Sequence, residues 1–391
     1  MPAGPGIALV LPGGSVHVLV TGDTLSGSWT YTRELVTGLV TRGVRVTLVS
    51  FGEVPLPSQT SWMDHLHGLD YRPTAFRMEW MLEADEDLTE SSAFLMALVR
   101  ELRPDILHLN QFRHGNLPID VPRVVMAYSD LLTWREAVPP HRRSSVAAER
   151  HAVSRYQDSV VRGIAGANAI IAPSRWMLDR ISACYRRPQR GEVIYPGRNP
   201  IFFNPYVTKE DSVLAVGRLV DASKQVSLLT QHAHPLPVCI VGAEQTVPTP
   251  RIPIRADVKV ALEETSVAIR GPQTEAQLRA LYSRAAIFAA TSRYEPLGLA
   301  TLEAAFSRCA IVANDIPSYR EMWGDAALYF QTNDAASLAE SIRHLSEDRT
   351  MRRAFGELAY TRARERYTTK RMIDECLQLY RSLVSVGTAA A

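Results

Sequence analysis

Two carboxylates and a glycine in one short stretch are the residues of this chain best placed to do chemistry. Residues 286–330 read AIFAATSRYEPLGLATLEAAFSRCAIVANDIPSYREMWGDAALYF. Glu295 precedes a run of strong helix formers that begins at Leu299, and Glu303 lies about one turn inside it. A helix start presents unpaired backbone N–H groups and a partial positive charge, and Gly298 beside it lets a phosphate come close to the backbone. A carboxylate next to a phosphate repels it unless it binds something else. Sugar hydroxyls are the natural partner, because they donate hydrogen bonds to a carboxylate without a cation. Taken singly, Pro296 and Gly298 make a turn and Glu303 is a solvated helix residue. Taken together, they set a place for phosphate beside places for hydroxyls.

A second constellation lies upstream. The run Ser212 to Arg218, SVLAVGR, reads as a strand ending in Gly217-Arg218, and Lys224 follows six residues later. Two cations then stand at the carboxyl end of a sheet strand, where open α/β sheets bind their ligands. No local acid partner is expected for them, as suits a diphosphate site. Each alone reads as a surface salt-bridge former.

The segment EPLGLATLE, with EAAFSRCAIVANDIPSYREMWGDAALYF behind it, resembles the donor-site signature of the retaining family 4 glycosyltransferases (glycosyl transferases group 1), in which two glutamates are separated by seven residues. GRL followed by a loop lysine is similar to the family's second signature, with Gln225 where Gly or Asn is commoner. The resemblance implies an α/β fold of GT-B architecture: two Rossmann-like, doubly wound parallel-sheet domains facing a central cleft. It also implies hexosyl transfer from a UDP-, GDP- or ADP-sugar donor to a hydroxyl of a glycan, lipid-linked or small-molecule acceptor. Configuration is then retained by front-face attack, the leaving diphosphate takes the acceptor's proton, and neither a metal nor another cofactor takes part.

On this resemblance Arg218, Lys224 and Glu295 are the catalytic residues. Gly27, Arg218, Lys224, Glu295, Leu297, Gly298, Leu299 and Glu303 hold the donor. The family places an acceptor-side histidine near the end of the strand that here reads RVVMAYSD, Arg123 to Asp130, and Tyr128-Ser129 fill that slot. With His108 they are the acceptor-side candidates. The substituted slot also admits a sugar-nucleotide-binding protein without turnover, and the architecture admits a sugar-nucleotide epimerase.

The elements that must position these residues fall into two series. At 391 residues the chain is long enough for two domains of ordinary size. The expected division is an acceptor-side domain over 1–195 and a donor-binding domain over 196–369, with a terminal helix over 370–391 that crosses back onto the first. In the first series VHVLVT is a strand, Ser26-Gly27 a turn, Leu35, Leu39 and Val40 a helical stripe, and Val44 to Ser50 the next strand. The layout is that of a nucleotide-binding half without the G-x-G-x-x-G fingerprint, and Ser26-Gly27 stand where the family usually has two glycines. The run RPDILHLN follows, with His108 and Asn110 at its carboxyl end, and Ser174 caps the helix after the last strand of the series.

Other features exclude function classes. A formal net charge of +2 gives no reason to expect nucleic acid. Cys184, Cys239, Cys309 and Cys376 lie far apart and read as reduced thiols. Asp85-Glu86-Asp87 matches a metal-chelating D-x-D but precedes SSAFLMALVREL, so it reads as the acidic first turn of a helix, and no metal site is expected. The pairs His65/His67 and His232/His234 lack a third ligand. A basic helix over 142–162, with Arg142, Arg143, Arg150, Arg155 and Arg162, is a solvated surface helix or a weak peripheral contact with an anionic membrane. With neither a signal peptide nor a membrane span in view, the expected location is cytoplasmic, with any membrane association at the inner face.

Overall fold

Short β-branched and apolar runs become parallel strands because helices cover both faces of their sheets. The computed structural model describes residues 10–11, 14–25, 27–81, 84–138, 147–219, 221–242 and 267–389. Ser26, Arg142 and Arg143 lie outside the described residues. By internal contacts the chain forms two units. One comprises Met1–Thr133, Pro140–Gly197 and Thr369–Ala391, the other Trp134–Pro139 and Arg198–Thr368.

The first unit carries β1 (His17–Asp23), β2 (Arg45–Phe51), β3 (Leu69–Pro73), β4 (Ile106–Leu109), β5 (Arg123–Met126), β6 (Ala169–Ala172) and β7 (Gly191–Val193). They pair in the order β3-β2-β1-β4-β5-β6-β7, every pair parallel. Strand order reverses at β1, the doubly wound arrangement that puts ligands at the carboxyl strand ends. All seven residues of β1 are buried. On one face Leu19, Leu107 and Val125 meet Leu95, Tyr156, Ile164, Met177 and Ile181 from the helices. The helices Ser28–Val40 and Thr369–Ala389 pack against each other so tightly that a Cβ on Gly38 would lie 2.4 Å from Ile373 Cγ1. Arg42 pairs with Asp374 at 2.9 Å beside that contact. Ser174 does cap its helix, accepting from the Met177 N–H at 3.1 Å.

The second unit carries β8 (Glu210–Val216), β9 (Val238–Val241), β10 (Val267–Arg270), β11 (Ala285–Ala290), β12 (Ala310–Asn314) and β13 (Leu328–Phe330). Their order is β10-β9-β8-β11-β12-β13, again all parallel. Val213, Ile240, Ile287 and Val312 form its core with Leu338, Ile342 and Leu345 of the helix Ala335–Glu347. Among the described residues no helix is long and apolar enough to cross a membrane.

One close approach in the first unit sets how a helix seats on its sheet. The helix Ala147–Gly166 crosses the 3-10 turn Phe112–Asn116 at Gly163, where a Cβ would come within 1.8 Å of the Phe112 carbonyl oxygen. No side chain can yield there, because the obstacle is backbone. Gly163→Ala should therefore cost at least the ~1–3 kcal/mol typical of overpacking, seen as a lower urea midpoint with an unchanged m-value.

Candidate functional site

The parallel pairing of β8 with β11, Val213 opposite Ile287 and Leu214 opposite Phe288, brings the loops that follow these strands together. The Thr291 hydroxyl donates to the Lys224 carbonyl at 2.7 Å and the Arg293 N–H to the Ser223 carbonyl at 2.9 Å, stitching one loop to the other. Lys224 Nζ then reaches Glu295 Oε2 at 2.5 Å. The same carboxylate accepts from the Ser292 hydroxyl at 3.0 Å and, at Oε1, from the Gly298 N–H at 3.2 Å. Glu295 is buried, so its charge is met by one cation, one hydroxyl and one amide rather than by bulk water.

The expectation that the two cations lack acid partners is corrected by these contacts. Lys224 pairs with Glu295, and Arg218 Nη2 pairs with Asp221 Oδ2 at 2.9 Å. The turn returns Asp221 toward the strand end, where the Ser223 N–H and hydroxyl also donate to it. Burial pushes the Asp221 carboxyl up, but Ser223 and Arg218 outweigh it and hold the pKa below the ordinary value. Asp221 and Ser292 were not singled out from sequence. Their only signal there is proximity to Arg218 and Glu295.

Two backbone positions explain local residue choice. Gln225 has φ +47°, a left-handed conformation that Gly or Asn, the residues the resemblance leads one to expect there, adopts at less cost. Gly298 has φ +63° and precedes the helix Leu299–Phe306, and a Cβ on it would lie 2.8 Å from Met322 Sδ. The chain thus turns sharply and leaves the helix start uncovered by a side chain of residue 298. Leu297 is buried against this turn and Leu299 is partly buried.

Glu303, on the second turn of that helix, is not a solvated residue. It is 8% exposed, and its Oε1 lies 2.9 Å from Arg198 Nε, itself 3% exposed. Sequence reasoning passed over Arg198, which sits in the run YPGRNPIFF as one charge among turn formers and apolar residues.

In the first unit Gly27 stands at the head of the helix Ser28–Val40, and a Cβ there would meet nothing within 4 Å. Asp23, at the end of β1 and also passed over, accepts from the Leu25 N–H at 2.7 Å and the Ser28 hydroxyl at 3.2 Å. His108 is corrected as an acceptor-side residue. It is fully buried, its Nδ1 lies 2.6 Å from the Tyr380 hydroxyl of the terminal helix, and burial pushes its pKa down to about 3. The Tyr128 hydroxyl is likewise buried, its ring edge-on to Tyr31 at 5.0 Å, and burial raises its pKa. Of the three, Ser129 alone is exposed. Asp85, Glu86 and Asp87 open the helix Asp85–Leu102, with Asp85 paired to Arg155 at 2.9 Å and Asp87 accepting from the Arg77 N–H at 3.0 Å. Among the described residues no group of three His, Cys, Asp or Glu side chains could hold a metal ion.

Two family descriptions together span most of the chain: Glycosyltransferase Family 4 over residues 25–201 and Glycosyl transferases group 1 over residues 201–362. The chain belongs to glycosyltransferase family 4. The alpha-maltose-1-phosphate synthase of Mycolicibacterium smegmatis is 27% identical over 311 residues, 71% of this chain and 76% of that protein. The sucrose-phosphate synthase structure from Thermosynechococcus elongatus superposes with a TM-score of 0.77 at 17% identity, covering 95% of this chain and 100% of that one. The Anabaena Alr3699/HepE structure solved with UDP-glucose does so with a TM-score of 0.71 at 13% identity, covering 94% of this chain and 100% of that one. The two parallel-sheet units are thus the two Rossmann-like domains of the GT-B fold, and the chain is a glycosyltransferase that uses a nucleotide-sugar donor.

The buried histidines predict how stability depends on pH. His108 and His114 are both held neutral by burial, with pKa values down to about 3 from an ordinary 6.5. The unfolded chain therefore binds protons that the folded chain refuses between these values. Stability should be complete above the ordinary value and fall as pH drops below it, by about 2 kcal/mol per histidine near pH ~5. Urea unfolding at neutral pH and near pH ~5, for wild type and His108→Gln, measures this; the variant should lose part of the slope.

Proposed function

We propose that this glycosyltransferase moves a hexosyl group from a nucleotide diphosphate sugar to an acceptor hydroxyl with retention of configuration and without a metal ion. The observation that carries the reading is the part-buried Lys224–Glu295 pair at the head of the Gly298 helix, where cation, carboxylate and amide converge. In this reading Arg218 and Lys224 take the donor diphosphate, and Gly298 and Leu299 present the helix start to it. Leu297 walls the donor, and Gly27 leaves its helix start open to it. Glu303 accepts from the ribose hydroxyls and Glu295 from hydroxyls of the transferred sugar. The accessible residue of the acceptor-side trio is Ser129.

The acceptor oxygen attacks the anomeric carbon on the face from which the diphosphate departs. The C–O bond to the diphosphate breaks, its electron pair stays on the phosphate, and the acceptor's proton passes to that oxygen. Negative charge grows on the leaving group in the transition state, so fixed cations and amides aimed there lower the barrier. Glu295 holds the sugar so that the attacking and leaving oxygens line up. The structure of the Anabaena protein with UDP-glucose, of the same fold, supports a donor of this chemical class. Weak peripheral contact with the inner face of a membrane through exposed Arg150 and Arg162 also belongs to this reading.

The two glutamates separate the reading from an ordinary turn and helix. Glu303→Ala should weaken both the free nucleoside diphosphate and the donor, because both carry the ribose. Glu295→Ala should leave nucleotide affinity near wild type and lower kcat for the donor by at least about tenfold, since the donor alone carries the sugar. Wild-type constants for both variants in nucleotide binding and donor turnover would remove the assignment.

Metal independence has its own test. Turnover in excess EDTA should match that of untreated enzyme, because Arg218, Lys224 and the helix start supply the positive potential at the diphosphate. Loss of turnover in EDTA, restored by magnesium or manganese, would refute it.

A further inference from the structure

Glu303 is held by a residue that itself has almost no freedom. The Arg198 N–H donates to the Tyr367 carbonyl at 3.0 Å, and Arg198 pairs with Thr368 as an isolated parallel bridge. Its guanidinium lies 5.5 Å from the centre of the Phe203 ring, which stacks on Phe306 at 5.8 Å and 15°. Phe306 is the last residue of the helix that carries Glu303. Backbone, head group and target carboxylate are therefore tied to one small body. Tyr282 lines the same spot: burial first, and the Glu303 charge second, raise its hydroxyl well above the ordinary tyrosine pKa.

A buried carboxylate without a cation takes up a proton, and a protonated one loses part of its power to accept hydrogen bonds. A glutamate on a helix also has three side-chain torsions to fix before it can grip two hydroxyls at once. Arginine answers both needs, because its charge persists when buried and its planar fork fixes the direction of its hydrogen bonds. An ionised carboxylate has about four lone-pair sites on its two oxygens, so engaging Oε1 with Arg198 leaves capacity for a diol.

We infer that Arg198 is a positioning residue of the donor site, holding the Glu303 carboxylate ionised and oriented for the vicinal hydroxyls of the nucleotide ribose. The inference rests on the proposed role of Glu303 at the ribose. It adds that recognition of the ribose is set by an arginine that need not touch the ligand. An ion pair that merely braced the Pro/Gly-rich turn would affect stability and leave the choice between ribose and deoxyribose unchanged.

The test compares UDP, GDP and ADP with their 2′-deoxy counterparts by calorimetry and follows the base that binds best. Wild type should prefer the ribose form. Arg198→Met should lose that preference by about tenfold, the scale of one charge-assisted hydrogen bond, while affinity for the 2′-deoxy form stays near wild type. Glu303→Ala should lose the same preference, and the double variant should lose no more than either alone.

Failure of the inference and failure of the role it rests on give different results. If Glu303→Ala keeps the ribose preference, the role of Glu303 itself is wrong. If Glu303→Ala loses it and a folded Arg198→Met keeps it, the positioning role of Arg198 alone is overturned. Arg198→Met leaves a buried carboxylate uncompensated and risks not folding, so Arg198→Lys is measured beside it. Lysine keeps the charge without the fork and should lose part of the preference; a folded lysine variant with the full wild-type preference also overturns the positioning role.

Discussion

Parallel hydrogen bonding between β8 and β11 is the constraint on which the candidate site depends. Parallel strands end at the same edge of a sheet, so the loops that leave them emerge side by side even when they are far apart in the chain. Lys224 and Glu295 are 71 residues apart in the chain, and for this reason their charged atoms lie 2.5 Å apart in space. The two stitches, Thr291 to Lys224 and Arg293 to Ser223, remove the remaining play between the loops. All six residues of β11 are buried, so both faces of the strand lie in the core, and its pairing with β8 runs Val213 opposite Ile287 and Leu214 opposite Phe288 up to the edge where the loops leave.

The second constraint is electrostatic. Two carboxylates within eight positions of each other are buried in the same loop-and-helix unit, and each is met by a cation from another part of the chain: Glu295 by Lys224, Glu303 by Arg198. Breaking a buried pair by removing one partner typically costs about 3–5 kcal/mol, while replacing both by apolar residues is often neutral. Stability alone therefore does not require these charges. Sites that bind charged and hydroxylated ligands do, since charge held in a dry setting acts on a ligand more strongly than charge in water.

The first unit is organised by its terminal helix in a comparable way. Thr369–Ala389 returns to this unit, packs on Ser28–Val40 and places Tyr380 on His108. That contact converts a histidine at a strand end, an ordinary position for a ligand residue, into a core residue. Among the described residues near the ends of β1 and β5, Gly27 at its helix start and Ser129 are exposed.

The sequence by itself determined the two α/β series, most of their strands, and the pattern of Glu295, Gly298 and Glu303, because these rest on local rules of apolar runs, helix formers and turn residues. It left out β3 and β13. LDYRP is a half-exposed edge strand with a proline, and Leu328–Phe330 is three residues long, so neither carries a clear apolar run. Only the tertiary structure decided which charges meet. Lys224 on Glu295, Arg198 on Glu303 and Tyr380 on His108 are contacts between elements, and residue type and spacing say nothing of a partner brought in by sheet order or by a helix returning from the far end of the chain. His108 states the difference most directly: its strand was legible, but its solvent was not, because burial is a property of what packs on a residue.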